Sequence, residues 1–496
     1  MDRRSVIIIG SGIAGLAASI RLASEGYQVQ VFEKNGYAGG KINAFTQDGY
    51  QFDEGPSLFT EPHLIEDIFR AANVDMASYF NYKPVEVACT YFYESGKTLH
   101  AYTDPDKFAA EAEQVAGEPA SHIKNYLEDA RSLYTRIGAV FLDHSLHKRH
   151  TWLHRRFTHA LGALRGRHLL KSLHAHNAKV FNRPELVQLF DRYATYNGSN
   201  PYKAPSMLSM IPHLEHNGGV FYPKGGMISI SEALHKLAVA KGVVFHFHSP
   251  VSYIINPNDL AVGVVSNEKN YFADAVISNM DAYFTYKHLL CDDRKANKLL
   301  KQERSSSALI FYWGMAKHFP ALGLHNIFFS KDYQAEFKAI FKKYRVYGDP
   351  TVYINITSKE EREHARQGGE NWFVMVNAPA NRGQEWDKIS VELRAAIITK
   401  LSRMLGEDIA PFIESESVMT PEDIETKTSS FMGSLYGTSS NSRKAAFARH
   451  PNFSKAIKGL FFCGGSVHPG GGIPLCLRSG KIAAELVSSF LKKQKH

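Results

Sequence analysis

Cysteine is scarce in this chain. Its 496 residues include four, Cys89, Cys291, Cys463 and Cys476, and no two form a CxxC pair. That argues against a disulfide framework or a cysteine zinc site, fits a reducing compartment, and leaves no metal expected. Long apolar runs are also missing. None reaches the ~18 residues of a membrane span, so no transmembrane helix is expected. There is no internal repeat, no low-complexity linker and no compact His, Asp and Ser constellation. The remaining composition, 44% hydrophobic and 22% charged, is that of a globular protein with about two to three domains' worth of core.

One region lacks acid. Between Asp143 and Lys179 the only carboxylate is Asp143 itself. The same stretch carries Lys148, Arg149, Arg155, Arg156, Arg165, Arg167, Lys171 and Lys179, with many histidines. Trp152, Leu153, Phe157, Leu161, Leu164, Leu169, Leu170 and Leu173 are interleaved at roughly helical spacing. Cations mixed with aliphatic and aromatic residues in this way describe an interfacial membrane helix. A solvated basic face or a nucleic-acid patch is the plainer alternative. The aliphatic partners favour the membrane, and nothing else suggests nucleic acid. The net charge of +9 agrees with an anionic surface.

Glycine is placed rather than scattered. Gly10-Ser-Gly12-Ile13-Ala14-Gly15 follows the apolar run Val6–Ile9 and opens an apolar stretch from Leu16 to Leu22. The order strand, glycine turn, helix is that of a dinucleotide-binding βαβ unit. The second strand, Tyr27–Phe32, ends at Glu33, about 18 residues beyond Gly15 and near the ~20 expected for the acid that binds a ribose hydroxyl. In that motif the first glycine allows the turn, the second lets backbone reach a pyrophosphate and the third lets helix pack on strand. The helix start adds N–H donors and partial positive charge. Arg3-Arg4 ahead of apolar residues has the look of a leader, but cleavage there would discard this turn.

A second glycine run, Gly464-Gly465-Ser466-Val467-His468-Pro469-Gly470-Gly471-Gly472-Ile473-Pro474, follows a short strand at Gly459–Cys463 and precedes a helix from about Leu475 to Leu491. Its glycines let backbone approach a flat ring, and its helix start can face a flavin carbonyl where negative charge builds on reduction. Between the two anchors lie a glycine loop (Gly39-Gly40-Lys41), a turn at Gln51–Ser57, a mostly helical stretch from Pro105 to about Tyr196 and a helix from Ile228 to Val239. Strands are expected at 243–248, 251–255, 274–279, 308–314, 325–330, 351–355 and 372–377, and a helix from about Ser390 to Leu405 stopping at Gly406. The nucleotide fold is therefore discontinuous. A nicotinamide-only domain would usually finish in one block, whereas a large flavin needs a second anchor.

With these motifs the chain resembles, over essentially its whole length, the bacterial-type FAD-containing carotenoid (phytoene) desaturases within the amine-oxidase-like flavoproteins. The resemblance rests on Gly10–Gly15 with Glu33, Gly39-Gly40-Lys41, Phe52-Asp53-Glu54-Gly55-Pro56-Ser57, His325-Asn326-Ile327-Phe328-Phe329 and the C-terminal glycine run. The Gly464-Gly465-Ser466-Val467-His468-Pro469 version looks closest to the hydroxycarotenoid 3,4-desaturase branch. The resemblance implies an α/β fold with a discontinuous Rossmann-like FAD-binding domain of the amine-oxidase/GDI kind (1–75, 215–302 and 455–496). A mixed-sheet substrate domain (76–104 and 303–454) and a helical membrane-facing subdomain (105–214) complete it.

It also implies that Gly10, Gly12, Ile13, Ala14, Gly15, Glu33 and Lys34 surround the ADP half of non-covalent FAD. Gly40 and Lys41 approach the pyrophosphate or ring, and Gly55, Pro56 and Ser57 the ring side. Val251, Asn279 and Met280 lie towards the adenine, and Gly464, Gly465, Gly472 and Ile473 contact the ribityl chain and ring. Lys41 departs from the arginine common in related flavoproteins and loses its planar fork. No acid stands at Gly464-Gly465, unlike in amine oxidases.

The implied chemistry is carotenoid desaturation, an allylic hydrogen leaving towards flavin while the polyene spreads the residual charge. Position then matters more than strong acid–base groups. His468 is the titratable group expected nearest the ring. Phe311-Tyr312-Trp313 and Phe328-Phe329 are candidates to line an apolar tunnel or, equally, to be strand core. The expected setting is cytoplasmic and peripheral to the membrane, with oxygen or quinone as electron acceptor. A flavin-dependent polyene isomerase or retinoid saturase is a second reading. A flavin-free prenyl chaperone like the GDP-dissociation inhibitors is a third, and the intact glycines weigh against it.

Overall fold

The computed structural model describes residues 4–148, 171–442 and 449–494. The first strand, Ser5–Ile9, sits in the middle of a five-stranded parallel sheet. From one edge to the other its strands are Leu460–Phe462, Ala275–Ser278, Ser5–Ile9, Gln28–Phe32 and Val244–His246. Val6 and Ile8 point into a core with the helices Ile13–Ser24, Ile228–Ala240 and Ile473–Lys493. Ile7 and Ile9 point the other way, against a three-stranded antiparallel sheet built from Val251–Ile255, Gly263–Ser266 and Lys269–Phe272. Coverage on both faces is why this strand reads as an unbroken apolar run rather than an alternating one. The sheet draws on the start, middle and end of the chain, as a discontinuous nucleotide fold requires.

The second sheet has seven strands in the order Ile413–Met419, Ser307–Met315, Glu370–Ala378, Val352–Asn355, His325–Phe328, Val87–Phe92 and Thr98–Tyr102. It is mixed, with His325–Phe328 parallel to Val87–Phe92 and the other pairs antiparallel. The helix Trp386–Leu405 covers one face, with Phe311, Trp313, Trp372 and Val374 beneath it. It starts one turn earlier than expected and ends at Gly406 in the left-handed conformation. The helices Pro105–Ala116, Ala120–Leu133 and Pro184–Asp191 pack over the 87–102 edge.

Gln51–Ser57 is not merely a turn. Tyr50–Glu54 is a strand hairpinned to Asn43–Gln47, and both turn residues, Asp48 and Gly49, have positive φ (50° and 80°). An Asp-Gly pair is the strongest short-range hairpin signal, and it was there to be read. Tyr50 and Phe52 are buried against Tyr312 and Ile310.

The expected membrane helix falls mostly on residues 149–170, which lie outside the described residues. Of its flanks, Lys171 and Lys179 are exposed. Leu173 is a correction: it is fully buried with Ala194, Ala204 and Leu208 and presents nothing to a bilayer. Among the described residues no helix is long and apolar enough to cross a membrane.

Candidate functional site

A cavity of about 620 Å³ runs between the two sheets and under the helical layer. Two helices begin on its wall. Ile13–Ser24 starts at Gly12, and Ile473–Lys493 starts at Gly472, neither with a side-chain cap. Their free N–H groups and dipoles converge on one space, which suits a diphosphate and an electron-rich ring. The helices run together because Gly480 has no side chain. A Cβ there would lie 2.4 Å from the Ala14 carbonyl oxygen.

Gly10, Gly12, Ile13, Ala14, Glu33, Lys34, Gly40, Lys41, Gly55, Pro56 and Ser57 all line the cavity. So do Val251, Asn279, Met280, Gly464, Gly465, His468, Gly472 and Ile473. Gly15 does not. It lies beneath the turn, where a Cβ would come 2.4 Å from the Gly10 carbonyl oxygen, and its role is to let helix pack on strand. A Cβ on Gly472 would meet nothing within 4 Å, and its φ of +101° disfavours any side chain.

Glu33 is buried and well supplied with donors. Oε2 accepts from the Ser11 amide and hydroxyl, each at 2.8 Å, and Oε1 from the Asn35 amide at 2.9 Å. Lys34 reaches across to the Thr426 carbonyl and the Ser429 hydroxyl, both at 2.8 Å. Burial pulls its pKa down, and Glu33 partly restores it. Lys41 donates to the carbonyls of Ser434 (3.2 Å) and Leu435 (2.9 Å), and burial pushes its amine down to about 8. It thus anchors the 434–435 backbone, a single-point role that needs no guanidinium fork.

His468 is almost fully buried. Its Nε2–H donates to the His144 carbonyl at 2.9 Å. Burial holds its pKa at about 4, so the ring is neutral near pH 7. Cys476 also lines the cavity, and burial raises its thiol to about 11; buried Cys463 is raised further. Neither is a ready nucleophile.

None of the tunnel candidates lines the cavity. His325 and Ile327 line the cavity, but Phe311, Tyr312, Trp313, Phe328 and Phe329 do not. They are core: Phe311, Trp313 and Phe328 face the side opposite Ile310 and Ile327, whereas Tyr312 and Phe329 share the cavity-facing parity but are packed against other rings, Tyr312 on Phe45 and Phe52 and Phe329 on Tyr91 and Tyr93. The apolar wall comes instead from Ile137, Phe141, Leu142, Met207, Leu208 and Leu214. Sequence reading also missed residues 428–437, where Ser and Gly recur, and three buried cations that carry no local signal. Arg449 is pulled down to about 10 by burial. Arg478 joins Glu61 (2.7 Å) and Asp143. Arg192 joins Glu215 at 3.4 Å. Among the described residues no metal-binding cluster occurs.

Residues 13–488 match the family model of flavin containing amine oxidoreductases. A 1-hydroxycarotenoid 3,4-desaturase of Flavobacterium sp. (strain P99-3) is 49% identical over 484 residues, covering 98% of this chain and 99% of that protein. A 4,4'-diapolycopene oxygenase of Methylomonas sp is 32% identical, covering 99% of each. Among solved structures, a cofactor-binding variant of putrescine oxidase superposes with a TM-score of 0.63 at 13% identity, covering 99% of each chain. An oxidoreductase from Methanosarcina mazei gives 0.60 at 16%, covering 98% of this chain and all of that one (100%). These last two show a shared fold.

Proposed function

The chain belongs to the flavin-containing amine oxidoreductase family, and from that premise we propose that it is an FAD-dependent carotenoid desaturase acting near a hydroxylated end of the polyene. The observation that carries the proposal is the 49% identity, over almost the full length of both chains, to a 1-hydroxycarotenoid 3,4-desaturase. The cavity supports it, with two uncapped helix starts at one region and an aliphatic wall at another.

When bound, FAD supplies the oxidant that accepts two electrons from an allylic C–H bond. In this reading the amides of Ile13 and Ala14 hold its pyrophosphate, Glu33 its ribose, and the Gly464–Gly465 and Gly472–Ile473 backbone its ring end. Val251 would lie towards the adenine. The apolar wall would exclude water and hold the polyene in place, so that one C–H bond is presented repeatedly. His468, neutral at pH 7, is a weak base beside that place. A polyene cation is acidic enough to lose its proton to a weak base or to water.

The same reading assigns residues 1–75, 215–302 and 455–496 to FAD, 76–104 and 303–454 to substrate, and 105–214 to a membrane-facing layer. A cytoplasmic position on the bilayer surface, with oxygen or quinone as final acceptor, completes it. The test is expression in cells that accumulate a terminally hydroxylated acyclic carotenoid. A product whose absorption is shifted to longer wavelength, with purified protein that is yellow, supports the reading. Unchanged pigment from a flavin-loaded protein overturns it.

A further inference from the structure

We infer that Arg192 and Tyr196, held in place by Glu215, recognise a hydroxyl group on one end of the substrate. The inference rests on the functional reading above and adds the side chains that would select the substrate. All three residues line the cavity, beside Ile137, Leu208 and Ile211. A hydrocarbon polyene needs no charge there. Yet the Arg192 side chain is only 11% exposed and Glu215 1%, with 3.4 Å between them.

The guanidinium lies among three tyrosine rings, 5.3 Å from the centroid of Tyr91, 4.9 Å from Tyr193 and 5.2 Å from Tyr196. Glu215 also accepts from the Tyr193 hydroxyl at 2.6 Å, and that hydroxyl meets His216 at 2.9 Å. The carboxylate is therefore satisfied. The donors are not. Among the described residues, the buried Arg192 Nε and Tyr196 hydroxyl meet no hydrogen-bond partner. Among the described residues Arg192 makes its side-chain hydrogen bonds through Nη2, to Glu215. Burying an ion pair is hard to offset unless its remaining hydrogen-bonding capacity is used, and a guanidinium carries five N–H donors.

The surplus is one of donors, and the pair is already neutral overall. A neutral oxygen fits it better than a carboxylate would. An alcohol oxygen accepts from the guanidinium and returns its own O–H to the Tyr196 oxygen. The position suits chemistry close to the hydroxylated end. Ser57, on the proposed ring side, contacts the Tyr353 hydroxyl at 2.7 Å, and Tyr353 meets His325 at 2.8 Å. The Arg192 charge acts on both Tyr353 and His325.

The test compares two substrates on the FAD-loaded enzyme, an acyclic carotenoid with a terminal hydroxyl and its hydrocarbon parent. Wild type is expected to favour the hydroxylated one in kcat/KM by about 10- to 100-fold, the range of one hydrogen bond to a charged group. Arg192→Gln should bring that ratio close to one. Tyr196→Phe, which removes one oxygen and no charge, should lower the ratio several-fold. Binding of each carotenoid, read from tryptophan quenching, should follow the same ratios. Equal losses on both substrates, with the ratio kept, would mean a structural role and overturn the inference. A wild type that desaturates both equally well would overturn it and leave the desaturase reading standing. If neither is desaturated, both readings fall. Should Arg192→Gln not take up FAD, Tyr196→Phe decides alone.

Discussion

The Asn279 side chain donates from Nδ2 to the Gly10 carbonyl at 3.3 Å, tying the N-terminal glycine turn to the end of a strand more than half the chain away. The same side chain crowds both glycine anchors. A Cβ on Gly12 would stand 2.8 Å from its Nδ2, and one on Gly464 2.7 Å from its Oδ1. Asn279 thus sets the spacing of the two segments proposed to hold FAD.

Gly12→Val is accordingly expected to empty the site. The added side chain drives Asn279 off Gly10, whereas Gly12's own φ of −61° tolerates a side chain. Glu33→Ala should act more mildly. It strands the Ser11 and Asn35 amides, and FAD affinity should fall about 10- to 100-fold, the range of a charge-assisted hydrogen bond. Flavin absorbance per mole of folded protein measures both. A folded Gly12→Val protein with full FAD would sink the assignment.

Bulk beside the ring should matter more than any titratable side chain. His468→Asn with FAD retained is expected to slow anaerobic flavin reduction by less than the ~10²–10⁴-fold typical of general acid–base groups, and Gly472→Val by more. At Gly472 a side chain would project into open cavity and meet a strained φ of +101°. Rapid mixing with carotenoid gives the rate directly. A 10⁴-fold loss in His468→Asn would show that it is a required base.

Three histidines, two of them buried and one half-buried, make the fold acid-sensitive. Burial lowers His325 to about 3, and His450 and His468 to about 4. Below about pH 6.5 the unfolded chain takes up protons that the native rings refuse. Their contribution is full at pH 7 and above and drains as pH falls towards 4. For a ring lowered to about 4 the loss by pH 5 is about 2 kcal/mol. Asp53, raised by burial to about 6, works in the opposite direction. The variant comparison isolates the effect: His450→Gln should flatten the drop between pH 7 and pH 5 in guanidinium unfolding. A parallel drop in variant and wild type would refute it.

The basic stretch remains a proposal from sequence. Changing Arg155, Arg156, Arg165 and Arg167 to Gln should move protein from membrane to soluble fraction, each cation near the surface being worth about 1 kcal/mol and screened by salt. Unchanged flotation with anionic liposomes at low salt would rule that stretch out as the anchor.

The sequence by itself determined the local units. Val6–Ile9, the Gly10–Gly15 turn and Glu33 are close enough along the chain that steric and hydrogen-bonding rules specify a βαβ unit without help. The C-terminal glycine run before Pro474 announces a helix start for the same reason. Only the tertiary structure decided what faces the cavity. Alternation along the strand from Ser307 to Met315 turns Ile310 to the cavity and Phe311 and Trp313 beneath a helix, and no local signal says which parity faces which layer. Arg192, Arg449 and Arg478 were illegible for a related reason. A lone arginine reads as surface until distant elements remove it from water and supply its partner, and those partners lie on other segments of the fold.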